Sequence, residues 1–562
     1  MKLEDIVRKH VLKNAYDYGK ASAGSVVGKV IAEYPDAKKD MKKTMILINK
    51  IIGEVSTFSK ATMEKEMQKY EYVEKKEEKK ELALPNAVKE RVVTRFPPEP
   101  SGYPHIGHAK AAFLNYEAAS VYNGKMILRF DDTNPEKESE EYVDAIKNGL
   151  QWLGIKWEKE TYTSDNMQEI YGYLEKLLNN GKAYVCTCVQ DDISRGRTEG
   201  KTCACRDLSK KETIERWKEM LEGKYKQGQA LVRYAGDMES LNTVMRDPAL
   251  ARIMTAKHYR QGDKYMIWPS YDFAVVVLDH LEGITHPMRS KEYELRNEFY
   301  YALFTDLGFE KPELIEFSRL AIKNAPISKR LITPLVKEGK VSGWDDPRLP
   351  TLEGLKRRGV LPEAIKNFVL SLGLSKSESE PGWELLLSEN RKLLDPEAKH
   401  YFFVRGAVLL KVKGLKKKAK LKMHPKKNLG SREVSVSEKI YISWDDADKL
   451  KRGEVFRLKD LCNVKLVKKQ AKEIEGEIAE DKMVPKKIQW VADNDKILCR
   501  ILIPHDLLTD GEYNPESLEE AKGYCEKACG KLKVGDIIQF ERFGFCRLDK
   551  KGKDELQFVF SC

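Results

Sequence analysis

The stretch from Arg91 to Gly124 constrains the fold of this chain more than any other. "RVVTRF" (Arg91 to Phe96) is β-branched and reads as a buried strand, while "AKAAFLNYEAASVYNG" is rich in good helix formers and ends on Gly124. Between them lies "FPPEPSGYPHIGHAK", a turn stiffened by prolines that carries Gly102, Gly107, His105 and His108. A helix that starts where a strand ends presents unpaired backbone N–H groups and a partial positive charge, which suit a phosphate. Gly107 would let the backbone approach a nucleotide closely, and Gly102 permits the turn. Two imidazoles three residues apart can donate hydrogen bonds to phosphate oxygens as charge shifts during displacement at phosphorus. The bland alternative is a proline-rich loop with two incidental histidines; its position between strand and helix favours the functional reading.

The rest of the chain gives this turn a large setting. At 562 residues, three to five domains are expected. No apolar run approaches the ~18 residues of a membrane span, and the first twenty residues carry acids and no apolar core segment, so no signal peptide or membrane is expected. Ten cysteines in so long a chain do not make a disulfide framework and point to a reducing cytoplasm. The net charge of +12 permits a polyanionic partner without requiring one.

Helical periodicity over residues 1 to about 63 gives way to the charged run "EKEMQKYEYVEKKEEKKE", read as a helix end or linker. Strand and helix signals then alternate from Glu90 to about Phe317, as in a parallel α/β sheet. A stretch of turns, cysteines and polar helices from about Cys186 to Gly262 interrupts them. Helical signals follow Pro334, and short strands follow Tyr401. No internal repeat is evident.

A second chemical element is "PISKR", Pro326 to Arg330, expected as a flexible loop after the strand "LIEFSRL". Lys329 offers a mobile point charge for β- and γ-phosphates, and Ser328 adds a hydroxyl donor. "HIGH" followed about 220 residues later by this loop resembles the two signatures of class I aminoacyl-tRNA synthetases. "RFPPEPSGYPHIGHAK", "LRFDDTNP", "YDFAVVVLDHLEGITH" and "SRLAIKNAPISKR" narrow the resemblance to the glutamyl/glutaminyl subfamily, from about residue 88 to the carboxyl end. Residues 1–87 resemble the helical extension of archaeal-type glutamyl members.

The resemblance implies an α/β fold: a Rossmann-type catalytic domain (88–185 and 263–334) with an acceptor-binding insertion (186–262). To these it adds a helical N-terminal extension and charged linker (1–87), a helical connecting domain (335–400) and anticodon-binding β-barrels (401–562). It places ATP against Pro98, Glu99, Pro100, Ser101, Gly102, Tyr103, Pro104, His105, Ile106, Gly107, His108, Arg319, Leu320 and Lys329, with His105, His108, Ser328 and Lys329 catalytic. Arg95 falls on the α-carboxylate side of the amino-acid site, Asp131 at the α-ammonium, and Tyr271 where it can hydrogen-bond. Two bland alternatives are that Asp131 and Asp132 cap a turn and that Tyr271 is a core aromatic. Arg289, eighteen residues after Tyr271, separates glutamate from glutamine. Glutamyl enzymes place an arginine there against the γ-carboxylate, whereas glutaminyl enzymes carry a small uncharged residue.

The expected function is therefore ATP- and Mg²⁺-dependent activation of L-glutamate and its transfer to tRNA(Glu). tRNA(Gln) is a second acceptor in archaeal relatives that charge both, and a monomer is expected. The alternatives are a glutaminyl-tRNA synthetase, a nucleotidylyltransferase without tRNA, and a non-catalytic tRNA-binding scaffold. Such nucleotidylyltransferases are short and would not need residues 335–562. Intact His105, His108, Lys329 and Arg289 argue against a scaffold.

Two further stretches carry chemistry. Cys186, Cys188, Cys203 and Cys205 form two Cys-x-Cys pairs, a set that suits tetrahedral zinc; four reduced structural cysteines are the alternative. "KVKGLKKKAKLKMHPKK", Lys411 to Lys427, holds nine lysines and no acid, a one-sided run that fits phosphates. "DIIQFERFGFC" offers aromatics and an arginine for stacking splayed anticodon bases, or simply a strand core.

Overall fold

A computed structural model describes residues 2–18, 21–72, 82–378, 380–470 and 473–562. The chain divides into two compact units, Met1–Glu81 and Leu82–Cys562. The second half of the acidic and basic run expected as a helix end or linker, residues 73–81, lies outside the described residues. Among the described residues, no helix is long and apolar enough to cross a membrane.

The first unit is helical: α1 (Leu3–Tyr18), α2 (Ala23–Glu33), α3 (Met41–Val55) and α4 (Lys60–Met67). Apolar residues at three- and four-residue spacing, Val7 and Val11, Val26 and Val30, Ile48 and Ile51, meet in one core.

The second unit begins with the expected strand–turn–helix. β1 (Val93–Phe96), α5 (Ile106–Val121), β2 (Lys125–Phe130), α6 (Glu140–Trp152) and β3 (Lys159–Tyr162) alternate, and the strands pair in parallel in the order β1-β2-β3. Parallel neighbours need such crossovers, which α5 and α6 supply. After α7 (Met167–Asn179), the chain builds an antiparallel sheet from β4 (Ala183–Cys186), then α8 (Gln190–Glu199), α9 (Lys210–Leu221), β5 (Leu231–Tyr234), β6 (Ala249–Ile253) and β7 (Ile267–Pro269). This sheet reaches beyond the expected 186–262 on both sides.

α10 (Tyr271–Leu281) returns the chain to the parallel layer. There β8 (Met288–Ser290), α11 (Asn297–Leu307) and β9 (Ile315–Phe317) form a second parallel pair. It lies beside β1, where the Thr285 and His286 N–H groups donate to the Val93 carbonyl at 3.1 and 3.2 Å.

One buried charge network ties these layers together. Asp279, which follows the apolar run Phe273–Leu278 of α10, accepts from Arg95 of β1 (Nε–Oδ1 3.0 Å) and from Arg129 of β2 (Nη2–Oδ1 2.7 Å). Tyr300 of α11 donates to its Oδ2 at 2.8 Å. Arg129 also meets Glu282 at 2.9 Å and Asp131 at 3.3 Å. Both arginines and Asp279 are almost wholly removed from solvent. The two guanidiniums outweigh the effect of burial and hold the Asp279 carboxyl below the usual aspartate range.

The segment expected as a loop at Pro326–Arg330 ends sooner. α12 (Lys329–Lys337) starts at Lys329 itself, with Ser328 extended in the capping position. Ile332 and Leu335 are buried with Val341, Leu349 and Leu507, and that apolar face is the reason the chain turns helical there. Helices α13 (Leu352–Arg358), α14 (Pro362–Ser371) and α15 (Trp383–Leu394) follow.

The carboxyl third folds into two seven-stranded, barrel-like sheets. One takes Lys399–Tyr401, Phe403–Arg405, Lys496–Pro504, Leu518–Glu526, Ile537–Phe540, Gly544–Lys551 and Glu555–Phe560. The other takes strands from Val408–Lys413 to Val491–Ala492, so it is spliced into the first. The lysine run lies mostly on the hairpin of Lys417–Lys422 and Ser431–Val436. Strand alternation there buries Ala419 and Leu421 and exposes Lys417, Lys418, Lys420 and Lys422. In "DIIQFERFGFC", Phe540 and Phe545 are core residues, Phe543 in the turn between them is partly buried, and the half-exposed Arg542 pairs with Asp446 at 2.9 and 3.0 Å.

Removing one partner of a buried charge set costs roughly 3–5 kcal/mol, because the remaining charge stays buried without compensation. Asp279→Ala is therefore expected to lower the denaturation midpoint of the second unit well beyond any surface substitution, as followed by urea unfolding. A wild-type midpoint would show that the two arginines find other partners.

Candidate active site

The turn between β1 and α5 is held from both sides. The Ile106 N–H donates to Pro350 O, and the Leu352 N–H to Pro104 O, each at 2.9 Å. His105 is the last extended residue before α5, and its Nδ1 accepts the Gly107 N–H at 3.1 Å. The His105 N–H in turn donates to Nδ1 of His108 at 3.2 Å. A side chain at position 107 would place its Cβ 2.9 Å from the His105 ring and 3.4 Å from Leu320 O. Only glycine allows this packing. With both Nδ1 atoms accepting, each neutral ring carries its proton on Nε2 and is a donor. Burial pushes His105 well below the ordinary histidine range, helped by His108 and Arg319, and pushes His108 down to about 4. Both rings are neutral at pH 7.

His105, Gly107 and His108 line a cavity of about 580 Å³ together with Pro98, Glu99, Asp131, Tyr271, Arg289, Arg319 and Leu320. At one side, Asp131 Oδ1 accepts from Thr163 at 3.1 Å, and Asp131 Oδ2 is buried with no hydrogen-bond partner. Burial raises its pKa to about 6, against the opposing pull of Arg129 and Arg95. Asp132 faces elsewhere: it accepts from Ser164 N–H and Oγ (both 2.8 Å) and from Tyr259 (2.9 Å), tying the strand tip to the connection between β6 and β7 of the antiparallel sheet. Capping a turn therefore fits Asp132, not Asp131.

Arg289 closes another side. Its guanidinium lies 4.3 Å from the Tyr300 ring centre, is 4% exposed, and leaves Nε and Nη2 buried without a partner. A buried guanidinium with free donors costs free energy until an anion meets it. Tyr271 opens α10 at the cavity wall, 5.1 Å from Tyr293. Arg319 is half exposed and pairs with Glu292 at 2.8 Å.

Other expected residues stand apart. Arg95 does not line the cavity; it lies behind the wall, bound to Asp279 and donating to Met288 O at 2.7 Å. Its guanidinium is occupied, which is why it supports the site rather than facing it. Pro100, Ser101, Gly102, Tyr103 and Pro104 form the outer edge of the turn, with Tyr103 stacked on Trp344 at 5.0 Å, and Ile106 is core. Lys329 rests on that edge, donating to Ser101 O at 3.0 Å and lying 4.4 Å from the Tyr142 ring centre; Ser328 precedes it. Glu138 was not read from the sequence. Burial raises its pKa to about 8, and its Oε2 has no hydrogen-bond partner inside the same cavity. The acid-rich "DDTNPEKES" was the signal for it.

Away from this cavity, the Sγ atoms of Cys186, Cys188, Cys203 and Cys205 lie within 4.8 Å of one another. Cys186–Cys203 and Cys188–Cys205 are separated by 3.8 and 3.9 Å. A tetrahedron with metal–sulfur bonds of about 2.3 Å has edges of about 3.8 Å. Arg233 lies 3.7 Å from Cys203 Sγ and Arg216 3.4 Å from Cys205 Sγ, cations that suit a thiolate cluster.

Residues 91–396 match the family described as tRNA synthetases class I (E and Q), catalytic domain. Residues 398–485 and 487–549 match the anti-codon binding domains of the same family. The chain belongs to the class I tRNA synthetases of the E and Q type. The synthetase is 46% identical to a glutamate–tRNA ligase of Nitrosopumilus maritimus (strain SCM1), covering 97% of this chain and 98% of that one. It is 41% identical to one from Cenarchaeum symbiosum (strain A), covering 97% of each chain, and 39% identical to one from Pyrococcus furiosus over the full length of both.

Proposed function

We propose that this synthetase is a glutamate–tRNA ligase. The observation that carries the amino-acid choice is Arg289, a buried guanidinium with two free donors on the cavity wall. A γ-carboxylate satisfies it with a charge-assisted pair worth roughly 1.5–3 kcal/mol net, whereas an amide would leave the charge unmatched. Asp131 Oδ2, the free acceptor in the same cavity, suits the α-ammonium, and Tyr271 supplies a hydroxyl between them.

In the first step an oxygen of the glutamate α-carboxylate attacks the α-phosphorus of ATP. The bond to the bridging oxygen breaks, and glutamyl-adenylate and pyrophosphate result. The neutral His105 and His108 rings donate from Nε2 to phosphate oxygens as negative charge moves outward. Arg319 and Leu320 face the nucleotide, and Lys329, near the rim, meets the β- and γ-phosphates. Mg²⁺ would supply charge neutralisation on those phosphates when bound, and Glu138, whose pKa burial raises to about 8, would have to release its proton to hold it. In the second step the terminal ribose hydroxyl of tRNA attacks the acyl carbon, loses its proton, and AMP departs. tRNA(Glu) is the acceptor, with tRNA(Gln) as the second candidate. The exposed lysines of the Lys417–Lys422 hairpin offer contacts to tRNA phosphates.

Charging of purified tRNA with radiolabelled amino acid tests the reading directly: glutamate should be attached and glutamine should not. Preferred attachment of glutamine would contradict it. Lys329→Ala should cut adenylate formation by ~10²-fold or more while sparing glutamate binding, since such a donor acts mainly in the transition state.

The Cys186–Cys188–Cys203–Cys205 set fits a structural zinc, whose role there would be to fix the two turns of the insertion. Metal analysis of untagged protein should return about one zinc per chain, lost in the Cys203→Ala/Cys205→Ala double variant. A zinc-free, fully active wild type would contradict this assignment.

A further inference from the structure

Lys110 is a buried cation that the reaction scheme does not use. It lies in the second turn of α5 with 1% of its surface exposed, and no carboxylate comes within ion-pair range among the described residues. Nζ donates to Ser318 twice, to the carbonyl at 2.6 Å and to Oγ at 3.0 Å, and lies 5.8 Å from the Phe317 ring centre. Burial alone lowers its pKa to about 8. An apolar side chain would suit this face of α5 better on stability grounds, because a buried ammonium without a counter-charge is costly.

What the lysine gains is control of one short piece of backbone. Ser318 follows the end of β9, is 2% exposed, and has its N–H committed to Ser375 O at 2.8 Å. Its carbonyl and hydroxyl are both taken by Lys110, so three of its polar groups are fixed. The next two residues, Arg319 and Leu320, form the cavity wall opposite the His105–His108 turn, with the Leu320 carbonyl packed over Gly107. We propose that Lys110 is a positioning residue for the nucleotide, holding Ser318 so that Arg319 and Leu320 keep their distance from the histidine turn. This rests on the reading above that Arg319 and Leu320 face ATP. Lys110 touches no part of the amino-acid end, where Asp131 and Arg289 lie, so its loss should divide the two substrates.

The test is adenylation kinetics of the full chain, with tRNA present, varying ATP and glutamate separately. A hydrogen bond to a charged group contributes roughly 1.5–3 kcal/mol, or ~10- to 100-fold in affinity. Lys110→Met should raise the KM for ATP by at least ~10-fold and leave the KM for glutamate within about twofold. Ser318→Ala, which removes only the Oγ acceptor and leaves the shorter bond from Lys110 to the Ser318 carbonyl in place, should raise the ATP KM by a smaller factor of about 2–5. An unchanged ATP KM in both variants, or equal increases for ATP and glutamate, would overturn the proposal. Should Lys110→Met not fold, Ser318→Ala decides alone by the same criterion. Calorimetric titration with a non-hydrolysable ATP analogue needs neither amino acid nor tRNA. It separates a failure of the Lys110 proposal, in which wild type and variants bind alike, from a failure of the ligase reading, in which the wild type binds the nucleotide but activates no glutamate.

Discussion

The pairing of Asp279 with Arg95 and Arg129 is the constraint on which the catalytic layer depends. A parallel sheet has no hairpins to fix the register of neighbouring strands, so side chains must do it. Here one carboxylate on α10 reaches the adjacent strands β1 and β2, and Tyr300 of α11 completes its coordination. Such a network is costly to desolvate, and its value lies in allowing one arrangement only. Because β1 leads into the histidine turn and β2 ends at Asp131, fixing the two strands also fixes the two chemical ends of the cavity.

The network also explains a division of labour among charged groups that are equally buried. Arg95 and Arg129 have their charges matched by Asp279 and Glu282, so they are structural. Arg289 and Asp131 keep donor and acceptor atoms unmatched, at opposite polarity, in one cavity. A ligand with an ammonium and an extra carboxylate matches both. In the proposed function the neutral imidazoles add donors without adding charge, so the phosphates of ATP would be met without two further buried cations.

What was legible in the sequence followed local rules. The histidine turn could be read because glycine at 107 and the prolines before it have single steric reasons, and the cysteine set because its spacing brings thiols together. The expectation for Arg289 rests on resemblance alone; its spacing from Tyr271 carries no physical signal. Asp279 was missed although it sits as an acid in the apolar run "YDFAVVVLDHL", because its partners lie 184 and 150 residues away. The same distance hides the partner of Arg95: the sequence shows a charge near the site but not the carboxylate that holds it. α12 was missed because the apolar face that drives it packs on Leu507, from the far end of the chain. The splicing of one carboxyl-terminal sheet into the other was equally invisible, since strand patterns carry no topology.

In the proposed function Arg289 reads the γ-carboxylate of the amino acid. This is tested most directly by comparing adenylation kinetics of Arg289→Cys with glutamate and with glutamine, in the presence of tRNA. Loss of one partner from a buried charge pair costs roughly 3–5 kcal/mol, or about two to four powers of ten in kcat/KM. This loss should fall on glutamate and leave the weak glutamine reaction unchanged, because the amide had no ion pair to lose. Equal losses for both amino acids would contradict it, making Arg289 a structural residue and leaving the choice of glutamate without its physical basis.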